Sequence, residues 1–199
     1  MNNRFFSTKN IVYLAILTAL LVVLNLLSTV FKVITNVNLT LIPIVLGALM
    51  LGMRGGLILG VISGLMTFLF GVTGLDAFTN FLFTEHPVLT FLTCVVKTTL
   101  AGALGGVVYN AFKGKNRYLG TFVASAIVPI INTGVFILGA LAMYDSISVL
   151  ASGEGVGVMY FLIILCAGIN FLIELGVNLL VAPAVHTVVR VLEKNVFKK

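Results

Sequence analysis

Three stretches of this chain carry polar side chains where apolar ones would be cheaper, and those positions could do chemistry. Lys97 stands about ten residues into an apolar run that opens at Pro87. At about 1.5 Å of rise per residue, its ammonium comes near the middle of a hydrocarbon layer about 30 Å thick. Asn132 reaches a similar depth in the run Tyr118–Met143, entered from the other side. In the run Val158–Val189, Asn170, Glu174 and Asn178 follow at four-residue intervals and so share one helix face. Asn170 falls near the middle of the layer and Glu174 one turn deeper. A charge at such a depth is expensive and faces the bundle interior or a cavity.

Two chemistries suit this set. A lysine ammonium is a compact point charge that fits a carboxylate. Asparagine offers a donor and an acceptor, which fits an amide or a hydroxyl. Lys97, Asn132, Asn170 and Glu174 therefore read as candidate substrate-binding residues. The alternative is internal: Lys97 and Glu174 form a buried ion pair, and the asparagines satisfy each other. Asn25, Asn80 and Tyr144 lie nearer one membrane surface. They are placed either to close over a ligand or to serve as ordinary interfacial residues.

Other chemistries lack their residues. There is no Gly-x-x-x-x-Gly-Lys-Ser/Thr loop to cradle phosphates, so the chain shows no means of hydrolysing ATP. His86 and His186 belong to opposite ends of the membrane runs, and no His-Glu-x-x-His pattern or Ser/His/Asp grouping occurs. The chain thus reads as no enzyme, with no metal site and no cofactor. Cys94 and Cys166 lack metal or redox spacing and read as packing residues.

The elements that must position these residues follow from composition. The chain has 199 residues, 60% hydrophobic and 9% charged, too little charge to cover a water-soluble domain. It reads as a single integral-membrane domain over residues 1–199. Six apolar segments can be marked: 11–31, 39–52, 55–72, 87–112, 118–143 and 158–189. The expected fold is an all-α bundle of six transmembrane helices. The segment after Met1–Asn10 is of spanning length with no small-residue cleavage site after it, so it counts as the first helix and not as a signal peptide. The second segment is short for a span, so it is either tilted little or begins early, near Asn36. The sixth is long, with Pro183 as a possible kink.

The net charge of +6 is unevenly placed. Arg4 and Lys9, then Arg54, then Lys113, Lys115 and Arg117, then Arg190, Lys194, Lys198 and Lys199 fall on one side of a six-span chain. Lys32 stands on the other side with Asp76, Glu85, Asp145 and Glu154. This asymmetry predicts cytoplasmic N- and C-termini. The gaps 71–86 and 144–157 are long and rich in Gly, Thr, Asn and acidic residues. They read as outer loops with little regular structure, either lids or solvated connectors.

Small residues recur at helical spacing. Gly52, Gly56, Gly60 and Gly64 form a ridge where a neighbouring backbone can come close, and residues 101–106 form a similar patch. Ala15 and Ala19 make a small-xxx-small pair in the first segment.

Taken in order, Leu41–Gly52 running into Arg54-Gly55-Gly56, then Val96–Gly102, Val128–Gly134 and Asn170–Asn178 followed by Pro183, resemble the S component of an energy-coupling factor (ECF) transporter. The resemblance spans nearly the whole chain and is greatest to the branch that includes pantothenate S components. Members of the family often have a glycine where this chain has Thr98. The resemblance implies a six-helix bundle that binds a vitamin from outside. It also implies a transmembrane coupling subunit and two cytoplasmic ATPase subunits as partners, and toppling of the bundle in the membrane to release the ligand inward. Ala15 and Ala19 match the family's docking motif for the coupling subunit. The expected function is thus ATP-powered vitamin uptake with pantothenate as ligand: Lys97 pairs with its carboxylate, and Asn132 and Asn170 bond its amide or hydroxyls. Two alternatives stand at this point. One is another vitamin, such as riboflavin. The other is a standalone ion-coupled transporter with Glu174 as its proton or sodium site.

Overall fold

An apolar chain in lipid has no water to satisfy its backbone, so it must bond every N–H and C=O internally, and the α-helix does this within one segment. In the computed structural model, which describes residues 7–31 and 39–195, helices account for nearly all of the described chain. They are α1 (Thr8–Phe31), α2 (Leu41–Val72), α3 (Ala77–Glu85), α4 (Pro87–Lys113), α5 (Arg117–Leu141), α6 (Tyr144–Gly153), α7 (Val158–Tyr160) and α8 (Ile169–Asn195). A π-helical segment, Phe161–Gly168, joins α7 to α8. Arg4, Lys32, Asn36, Lys198 and Lys199 lie outside the described residues, as does the side chain of Lys194.

Five stretches are long and apolar enough to cross a membrane: 8–28, α2, α4, α5 and 158–191. The second and third apolar segments, expected as separate helices, form α2 together. Their junction is Gly52, whose backbone (φ 69°, ψ −161°) leaves the helical region for one that side chains other than glycine essentially do not enter. The chain reverses there. Gly55 meets the carbonyl of Gly47, and Thr40 and Ser63 share a hydroxyl–hydroxyl hydrogen bond of 3.2 Å across 23 positions. In a straight helix those residues would lie about 35 Å apart at 1.5 Å per residue. So α2 is a hairpin of two antiparallel limbs.

Three of the four ridge glycines pack as their spacing predicts; Gly52 does not, because it leaves the helix to form the turn. On the second limb of α2, Gly56 lies against the backbone of Gly102, Gly60 against Thr98, and Gly64 against Cys94. Each glycine is close enough that a Cβ would strike the α4 backbone. Thr98 adds an interhelical bond, its hydroxyl donating to the Gly60 carbonyl at 2.7 Å. The hairpin turn also meets the far end of α4, where Gly106 lies against Met53. Arg54 and the α4–α5 turn with Lys113, Lys115 and Arg117 therefore fall at one end of the bundle.

The two gaps read as irregular loops contain helices. Asp76 caps α3 by accepting the Thr79 N–H at 3.1 Å, a local signal that starts a helix within a polar stretch. In and just before α6, Met143, Ile147 and Ala151 recur every four residues and are all buried. This short amphipathic helix is held by packing.

The core divides in two. One cluster gathers Leu21 of α1, Ile44 and Leu59 of α2, Ala101 and Tyr109 of α4, Val128 of α5 and Val185 of α8. The other gathers Leu82 of α3, Ala140, Met143 and Ile147 around α6, and Phe161 and Leu162. Along α4, α5 and α8 alike, the polar positions fall between these clusters.

Candidate functional site

A cavity of about 450 Å³ occupies that interval. Its size suits a small organic ligand. Of the six residues expected to bind substrate, Lys97, Asn132, Asn170 and Glu174 line it, brought there by α4, α5 and α8. The other two stand apart. Asn80, on α3, donates from its side chain to the Gly71 carbonyl at 2.7 Å. Tyr144 begins α6 and is 53% exposed. Neither is among the residues that line the cavity.

Each of the four polar groups has a distinct environment. The Lys97 ammonium lies 5.3 Å from the centroid of the Phe136 ring, within the range at which a cation is attracted to an aromatic face. Asn132 is only 5% exposed, and its side-chain carbonyl has no hydrogen-bond partner among the described residues. A buried acceptor without a donor is costly, so this one favours an N–H or O–H brought from outside. Asn170 donates to the carbonyl of Cys166 at 2.8 Å, inside its own helix. Glu174 is 6% exposed. One turn beyond, Asn178 is buried, bonds the Glu174 carbonyl at 2.8 Å and does not reach the cavity.

The rest of the wall escaped the sequence reading or was weighed only in passing. α1 contributes Asn25 and Ser28, which continue its buried face through Leu17 and Leu21. Thr67 and Thr133 add hydroxyls. Phenylalanines 70, 78, 136, 161 and 171 supply the apolar surface. They are five of fifteen, and nothing in their spacing sets them off from the others. Asp76 and Glu154 bring two carboxylates from the polar gaps, so among the described residues the wall holds three acidic groups and one lysine. Cys166 also lines the cavity, whereas Cys94 is buried in helix packing.

One flank of this wall depends on irregular helix geometry. Phe161, Leu165, Cys166 and Ala167 belong to the π-helical segment, whose wider turns displace side chains from the faces an α-helix would give them. Periodicity of 3.6 residues could not have assigned them.

Membrane-length helices enclosing a cavity of mixed polarity, between two apolar cores, define a membrane protein that receives a small solute. The chain belongs to the substrate-specific components of ECF transporters, whose family model matches residues 9–186. It is therefore a membrane-embedded, vitamin-binding subunit of a transporter, in a family of transport subunits and not of enzymes. No curated protein and no solved structure matches the chain significantly.

Proposed function

We propose that this subunit captures pantothenate, holding it in the cavity between α4, α5 and α8. The observation that carries this reading is the convergence of Lys97, Asn132, Asn170 and Glu174 on one cavity. Pantothenate has a carboxylate, an amide and two hydroxyls. Lys97 takes the carboxylate. The unpartnered Asn132 carbonyl accepts from an amide N–H or a hydroxyl, Asn170 bonds the remaining polar groups, and Glu174 accepts a hydroxyl proton. The phenylalanines exclude water, and each of these bonds strengthens in the resulting low dielectric.

In this reading the two limbs of α2 are separate crossings, making six, with both termini cytoplasmic. The gathering of Arg54, Lys113, Lys115 and Arg117 at one end supports that orientation. The ATPase partners are separate subunits, joined through a coupling subunit that docks on Ala15 and Ala19. Both alanines are exposed on α1, where a second helix could approach closely.

The test is mass spectrometry of the small molecule that co-purifies with the subunit, followed by titration of pantothenate onto wild type and Lys97→Ala. The expected ligand is pantothenate. The expected loss on Lys97→Ala is about 2–4 kcal/mol, or roughly 30–1000-fold in Kd, as for removing one partner of a desolvated charge pair. Unchanged affinity rules out the carboxylate role.

A further inference from the structure

We propose that Asn80 is a positioning residue: it holds one wall of the cavity in place without touching what the cavity binds. Gly71 lies in the last turn of α2, where helical carbonyls lack their i+4 partners. Its carbonyl accepts the Gly74 N–H at 3.1 Å and the Asn80 side-chain N–H at 2.7 Å. The first bond only folds the turn. The second spans nine positions and ties the body of α3 to the end of α2. Beside it, the Thr79 methyl packs so closely on Gly71 that a Cβ there would meet it at 2.5 Å. This bond and this contact add to the Phe68–Phe83 ring contact and the buried Leu82, which hold the later part of α3.

The residues around this anchor are those that reach the cavity. Phe70 precedes Gly71, and its carbonyl accepts the Asp76 N–H at 3.1 Å. Asp76, Phe78 and Thr79 flank Asn80 in the chain, and together with Phe70 they line the cavity. α3 has only nine residues, too few for a stable helix by itself, so its pose comes from what fastens it. Removing the Asn80 donor frees α3 to swing from the end of α2, and that side of the cavity opens.

The inference rests on the cavity being the capture site, but its test needs no ligand. Cys166 lines the cavity, and Cys94, 4% exposed, shares a small pocket with Phe78, Thr79 and Leu82 of α3. The purified full chain is treated with a small charged methanethiosulfonate reagent, and the labelling rate of each thiol is followed by mass spectrometry. Asn80→Ala and Asn80→Asp, each lacking the donor, are expected to raise the Cys166 rate about fivefold. Asn116→Ala serves as the matched control, because Asn116 caps α5 at the other end of the bundle with a bond of 3.0 Å to Leu119 N. It should leave the Cys166 rate unchanged. An unchanged rate in both Asn80 variants overturns the proposal. So does an equal rise in Asn116→Ala, because the change would then report the whole fold and not this wall. Failure to bind pantothenate would leave the labelling result standing, so the two readings fail separately.

Discussion

At the scale of single residues, the cavity wall holds a buried polar group whose hydrogen bonding is incomplete among the described residues. This group is Asn132: it is almost fully buried, lines the cavity and has an acceptor without a donor. Asn132→Leu removes that acceptor and keeps the bulk. The expected outcome is a ligand affinity lower by about 5–10-fold, the value of one hydrogen bond. Thermal stability without ligand should hold or rise, because an unsatisfied polar group has gone. Isothermal titration and a detergent melting curve read the two effects on one preparation. A fall in both would mean that Asn132 is structural. Lys97 shares the cavity but has an aromatic face beside it.

At the scale of elements, close packing of α2 on α4 carries the scaffold. Lipid gives helices no hydrophobic reason to associate, so association depends on backbones coming close. Gly60 sits over the Thr98 backbone with no room for a Cβ. Gly60→Val is expected to lower stability by more than about 2 kcal/mol, visible as lost monodisperse protein or a depressed melting temperature. Gly114→Ala, where nothing lies within 4 Å, should leave both unchanged. Thr98 occupies the place where family members often have glycine, and the structure gives its hydroxyl the Gly60 carbonyl. Thr98→Val should cost about 0.6–1.7 kcal/mol, the range for interhelical bonds in membranes. A neutral result would show that the departure is accommodated and not used. The π-helical segment is the second element the site depends on, since it presents Phe161 and Cys166 to the cavity.

At the scale of the whole molecule, the proposed capture and docking surfaces are different. The cavity is lined from α4, α5 and α8 and from one face of α1, α2 and α3, while Ala15 and Ala19 face outward on α1 beside exposed apolar residues such as Ile16. Bulk at the alanines should therefore block assembly and spare binding. Ala15→Trp with Ala19→Trp is expected to abolish co-purification with the coupling subunit while pantothenate affinity stays within about twofold, since the substituted face lies away from the cavity. Loss of both would show that α1 helps shape the ligand site, through Asn25 and Ser28. Retention of both would remove the docking assignment.

Solvent preference decided much of this protein before any tertiary contact formed. Long apolar runs with few charges can only be helices in lipid, and a lysine, two asparagines and a glutamate inside them had to face protein or a cavity. The glycine ridge was legible for the same reason: four-residue spacing puts small residues on one face whatever that face meets. Local periodicity could not show what depends on departures from it. A π-helical segment moved Cys166 into the cavity wall, and α3 took Asn80 out of it. Nor could it choose five phenylalanines from fifteen, because any of them is equally at home against lipid or ligand. Which polar residues meet is settled by how the helices stack, and that follows from backbone approach distances distributed along the whole chain.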